Sequence, residues 1–113
     1  MRVVTERIDN NELAEMSRNF FGNFVKAVVD IEKGIMAIDG ELHADEESLL
    51  IESGSAQKDL WGINIYPEIE GSDRIEFDSM INLKPVLGNR SRSIENPSVR
   101  EKIVNIVNKL VKK

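Results

Sequence analysis

An α+β fold is what this sequence predicts: a four-stranded, mainly antiparallel sheet with helices packed on one of its faces. Three observations carry that expectation. Arg74 to Leu83, RIEFDSMINL, alternates without a break, with Ile75, Phe77, Ser79, Ile81 and Leu83 on one side of an extended chain. That period of two marks a strand with one dry face, since no helix could gather those apolar residues into a stripe. Phe24 to Ile31 and Ile35 to Ile38 are β-rich and flank Glu32-Lys33-Gly34, a turn in which glycine supplies the positive φ. Val99, Ile103, Ile106, Val107 and Leu110 form a helical stripe behind Asn96-Pro97.

In chain order, Arg2 to Ile8 reads as a short edge strand or a loose tail. Asp9 stands three residues before Glu12, the spacing of a capping box, and Leu13, Met16 and Phe20 follow at helical intervals up to Gly22. The expected helix covers residues 10–21. The first hairpin covers 24–38 and stops at Asp39-Gly40. In the next segment carboxylates crowd the front and Leu49, Leu50 and Ile51 the rear, which favours a helix over 44–52 and leaves a strand as the alternative. Leu60 to Tyr66 is a third strand, with Trp61, Ile63 and Ile65 facing inward and Asn64 and Tyr66 facing away, and Pro67 closes it. With Arg74–Leu83 it makes a second hairpin over 60–84. Gly88 to Glu95 is a polar loop. Asn96 then caps a helix over 97–112, and Pro97 takes the first helical position, where its missing amide costs nothing. Two hairpins need each other or a helical layer to be stable, so residues 1–113 are expected to form one domain, loose if anywhere at 1–8.

The 113 residues carry 41% hydrophobic and 31% charged side chains, a balance that sustains a packed core and excludes whole-chain disorder. The absence of cysteine removes disulfides, thiolate metal sites and cysteine nucleophiles. The first ten residues hold no apolar run long enough for a signal peptide, and no stretch approaches the ~20 apolar residues that span a bilayer. A soluble, cytoplasmic protein with no membrane partner is expected. Charge is unevenly placed: residues 1–83 hold 7 Lys+Arg against 18 Asp+Glu, whereas residues 84–113 hold 8 against 2. The plain reading is that solvated faces differ in sign; the sharper one is that the basic end docks on acidic surface of its own chain or of a second copy, giving a homo-oligomer. A nucleic-acid partner is disfavoured, because the acidic remainder repels phosphates.

Three places could carry chemistry. His43, the only histidine, lies among Asp39, Glu41, Asp45, Glu46 and Glu47. Glu41, His43 and Asp45 could hold a divalent cation, and His43 beside Asp45 could act as a base, although the spacing fits no established metal motif. The plain alternative is a solvated helix start. Asn64 and Tyr66, on the outer face of their strand, could line a polar ligand cleft, against which stands a simply solvated sheet face. Asn89, Arg90 and Arg92 lie in a loop with the composition to bind a phosphate or carboxylate, though no P-loop is present and a flexible loop would look the same. No nucleophile–histidine–acid arrangement stands out, which leans against catalysis.

GELHADEESLLIESGSAQKDLWGINIYP (Gly40 to Pro67) and INLKPVLGNRSRS (Ile81 to Ser93) resemble a small prokaryotic family known only as a domain of unknown function. The resemblance implies a bacterial or archaeal cytosolic protein and brings no site, activity or cofactor with it. The family pattern has arginine where this chain has Lys84 before Pro85, which would weaken a two-pronged grip on an anion there. The reading is a non-catalytic binding or accessory module that self-associates; its ligand and any cofactor are unspecified. The alternative is a small enzyme or divalent-metal-binding protein built on the His43/Asp45 patch.

Overall fold

A computed structural model describes residues 1–113. Seven strands and three helices alternate along the chain: β1 (Arg2–Val4), β2 (Ile8–Asp9), α1 (Asn10–Phe20), β3 (Val25–Asp30), β4 (Ile35–Ile38), α2 (His43–Glu52), β5 (Leu60–Ile65), β6 (Ile75–Glu76), α3 (Pro97–Leu110) and β7 (Val111–Lys112). Five strands form one antiparallel sheet in the order β1-β4-β3-β5-β6. β2 and β7 form a separate parallel pair that ties the start of α1 to the end of α3. The α+β class stands, with five strands in the main sheet where four were expected. No helix is long and apolar enough to cross a membrane.

The helices lie on both faces of the sheet, not on one. Ala27, Val29, Met36, Ile38, Trp61, Ile63 and Ile65 point to a large core with Leu13 of α1 and Ile103, Val107 and Leu110 of α3. Val28, Ala37 and Leu60 point the other way, against Leu50 of α2. The cause is visible in β3 and β4, where consecutive residues are buried and both faces need a cover. The N-terminal segment is the strand of its two readings, and Val4 and Ile8 are buried.

The first hairpin follows its expected course. Gly34 adopts φ 70° and donates its N–H to the Asp30 carbonyl at 2.9 Å, while Asp30 Oδ1 accepts the Glu32 and Lys33 amides. Asn96 caps α3 by accepting the Ser98 N–H at 2.8 Å. The capping box of α1 does not form. Asp9 accepts from Arg7 and Glu12 pairs with Arg2 at 2.6 Å, so both carboxylates are drawn to guanidinium groups instead of to the helix amides.

The chief correction concerns Arg74–Leu83. Only Ile75 and Glu76 pair with β5, and the chain then turns into a 3₁₀ turn at Met80–Asn82. Ile75 and Phe77 join the large core, whereas Ile81 joins the core under α2. A side chain takes over from the missing strand. Asn82, fully buried, accepts the Gly62 N–H through Oδ1 at 2.8 Å and donates Nδ2 to the Gly62 carbonyl at 3.0 Å. Its amide thus presents to β5 the donor and acceptor that a neighbouring backbone would.

Candidate ligand cleft beside His43

Period two along β3, β5 and β6 puts Lys26, Asn64, Tyr66 and Glu76 on the sheet face that carries α2. The first turn of α2 sets His43 over that face, and the turns after β6 add Asp78 and Arg92. Together they line a cleft of about 380 Å³. His43, Asn64, Tyr66 and Arg92, four residues singled out from the sequence, therefore meet in one concavity.

The other three do not. Asp45 lies exposed on the outside of α2, and Arg90 is exposed beside Glu95. Asn89 is buried away from the cleft, donating to the carbonyls of Asn82 and Ser93, each at 2.7 Å, and to that of Ser91 at 3.1 Å. The loop that could hold an anion already has one. Glu95 accepts the Arg90 amide and the Ser91 hydroxyl, both at 3.0 Å, and these bonds hold its carboxyl below the usual range. Glu41 is exposed, and no three His, Asp or Glu side chains gather closely enough to hold a metal ion. The metal set of Glu41, His43 and Asp45 is thus not assembled, because α2 directs His43 inward and leaves Asp45 outside, and Glu41 lies exposed ahead of the helix.

Within the cleft each polar group can be followed. His43 donates Nε2–H to the Ile63 carbonyl at 2.8 Å. A carbonyl only accepts, so the ring's proton sits on Nε2 and Nδ1 keeps a free lone pair. Burial, reinforced by Lys26 and Arg92, holds His43 below its ordinary value, against the opposing pull of the Ile63 bond and of Asp78. Titrating the ring by NMR is expected to give a midpoint below 6.5; the chain has one histidine, so the signal is unambiguous. A midpoint at or above 6.5 would show that the ring is not held in this dry, neutral setting.

Glu76 accepts from Asn64 Nδ2 at 2.8 Å and from the Tyr66 hydroxyl at 3.2 Å, both through Oε1. Burial and this carboxylate raise the Tyr66 phenol, which stays a donor at neutral pH. Arg92 donates Nε to Asp78 Oδ1 at 2.8 Å. Asn64 is only 5% exposed, and its Oδ1 is buried without a partner. Since Nδ2 must face the carboxylate, that orientation of the amide is fixed by its neighbours. Lys26, Glu76 and Asp78 were not singled out from the sequence. Their signal was the face each shares with Asn64 once β3, β5 and β6 are paired.

A larger groove of about 550 Å³ lies between β6 and α3, floored by Phe77 and Val104. Its cations are already engaged: Arg74 binds the Pro67 and Ile69 carbonyls and Asn10, Arg100 binds Ser93 and lies 4.6 Å over the Phe77 ring, and Lys113 pairs with Glu70. The smaller cleft is the better candidate for a polar ligand because Asn64 Oδ1, His43 Nδ1 and Glu76 Oε2 there have no partner in the protein. Glu70–Lys113 and Asp78–Arg92 also join the acidic stretch to the basic one inside a single chain, which answers part of the charge split.

No curated protein and no solved structure matches the chain. A family model described as a protein of unknown function (DUF5674) matches residues 2–110, nearly the whole length, and the chain belongs to that family.

Proposed function

We propose that this protein is a non-catalytic binding module that takes a small polar ligand in the cleft between α2 and the β5–β6 edge. The observation that carries the reading is Asn64, a residue of the cleft lining whose buried amide oxygen has no partner in the protein. Leaving such an atom unbonded costs about 1–3 kcal/mol, a cost that a ligand donor would recover. His43 Nδ1 and Glu76 Oε2 likewise make no bond within the protein. The volume sits at the low end of the ~300–1,000 Å³ typical of small-molecule sites, which favours a metabolite-sized ligand over a large cofactor. Ile63 holds the only histidine in one tautomer, which leaves Nδ1 as an acceptor for a ligand donor.

A panel of small metabolites screened by ¹H–¹⁵N NMR tests this. Binding compounds are expected to shift the Asn64 side-chain amide, and Asn64→Ala is expected to weaken them by about tenfold. Compounds that shift only the groove between β6 and α3 would refute the assignment.

A further inference from the structure

We propose that the ligand of this cleft is a zwitterion, an α-amino acid with an apolar side chain; the proposal rests on the cleft being the binding site. The sheet register places Lys26 of β3 opposite Asn64 of β5, and Asn64 opposite Glu76 of β6. These three residues form one row across the sheet, with about 5 Å between neighbouring strands. A cation and an anion thus flank a buried amide. Neither is neutralised within the protein: the chain's ion pairs include neither Lys26 nor Glu76. Lys26 Nζ lies 5.0 Å over the Phe21 ring, and Glu76 uses only Oε1.

The free hydrogen-bonding capacity divides by type. Glu76 Oε2 and His43 Nδ1 are acceptors without partners, suited to the N–H donors of an ammonium group, and the buried Asn64 Oδ1 is a third acceptor without a partner. Lys26 Nζ and the terminal guanidinium nitrogens of Arg92 are donors, since Asp78 engages only the Arg92 Nε. They suit a carboxylate. The cleft's cations, Lys26 and Arg92, balance its anions, Glu76 and Asp78, so it attracts neither sign at long range. A simple anion would meet Glu76 and Asp78, and a simple amine would meet Lys26 and Arg92. A molecule carrying both charges avoids both repulsions. At the mouth, Phe24 packs 5.3 Å from the Tyr66 ring, and Leu42 (53% exposed) and Met80 (62% exposed) offer apolar surface for a side chain.

Isothermal titration of the full chain with L-leucine, 4-methylpentanoate (no amino group) and 3-methylbutylamine (no carboxylate) tests the proposal. Leucine is expected to bind at least about tenfold more tightly than either analogue. Glu76→Gln is expected to erase the preference for leucine over the acid, and Lys26→Met the preference for leucine over the amine. Both residues are partly or fully exposed, and thermal melting confirms that each variant remains folded. Either analogue binding as tightly as leucine, or both preferences surviving in the variants, would overturn the zwitterion. If leucine, methionine and phenylalanine give no heat while another compound shifts the Asn64 amide, the ligand class falls and the cleft stands. If nothing shifts that amide, both fall.

Discussion

Between about pH 5 and pH 9 the protein is expected to lose on the order of 5 kcal/mol of stability through one side chain, and Glu46→Gln is expected to abolish that loss. Glu46 lies on α2 with no exposed surface. Its Oε2 accepts the Gly40 N–H at 2.9 Å, and its Oε1 is buried without a partner. The packing is close: a Cβ on Gly40 would stand 2.7 Å from Glu46 Cγ, so any larger residue there would force the Glu46 side chain to shift. Burial pushes the carboxyl up to about 9, with Asp39 adding to it and the Gly40 bond, Lys26 and the N-terminus opposing it. The folded state therefore holds a proton that the unfolded chain releases near the ordinary glutamate value of 4.5. Stability from this group is complete below that value and is lost as pH rises toward 9, at about 1.4 kcal/mol per unit.

Glutamine keeps the acceptor for Gly40 and cannot ionise. His43 acts in the opposite sense, because its lowered proton affinity costs stability as pH falls below 6.5, so the comparison must be a difference between the two proteins. Urea midpoints at about pH 5, 7 and 9 supply it. Parallel curves for wild type and variant would mean that Glu46 is not held as a neutral acid. Since small domains hold roughly 5–15 kcal/mol in all, the expected loss would bring unfolding within easy reach at alkaline pH.

Where the sequence could be read, a local rule governed the outcome. Gly34 closed its hairpin, Asn96-Pro97 started α3, and the inward face of Trp61, Ile63 and Ile65 held, because each depends on residues adjacent in the chain. The convergence of His43, Asn64 and Tyr66 was within reach for the same reason: alternation fixes which face of a strand each residue occupies. Arg92 reached that cleft while Arg90, two residues earlier, did not, because Asp78 engages the first and Glu95 takes the amide of the second. Such choices between near-identical neighbours depend on partners distant in sequence. Glu46 shows both sides. Inside a run of acids it looked like solvated charge, yet His43, Glu46 and Leu50, spaced three and four apart, are the buried stripe of α2. The stripe was legible; that it would carry a carboxylic acid inward was not, since burying a lone acid is costly unless it is protonated.

Arg74–Leu83 failed for a different reason, and it leads to the other large effect. The alternation is real as far as Phe77, but Gly62 invites the chain to leave the sheet. A Cβ at position 62 would lie 2.5 Å from Ser79 Cβ and 2.6 Å from Ser79 Oγ. Ser79 cannot easily withdraw, because its N–H donates to the Arg92 carbonyl at 3.1 Å and its carbonyl accepts the Asn82 N–H at 3.1 Å. Gly62→Ala is therefore expected to lift the Ser79–Asn82 turn off β5 and to stretch both Asn82–Gly62 bonds. Overpacking costs about 1–3 kcal/mol and each of the two lost bonds about 1–3 more, so roughly 3–9 kcal/mol is expected in all. Removing the colliding atoms gives the sharper test. Ser79→Gly deletes both Cβ and Oγ, and the double variant is expected to be more stable than Gly62→Ala alone, a coupling that denaturant unfolding of the four proteins would measure. A cost below about 1 kcal/mol for Gly62→Ala, or a double variant no more stable than that single one, would mean that this close approach does not end the strand.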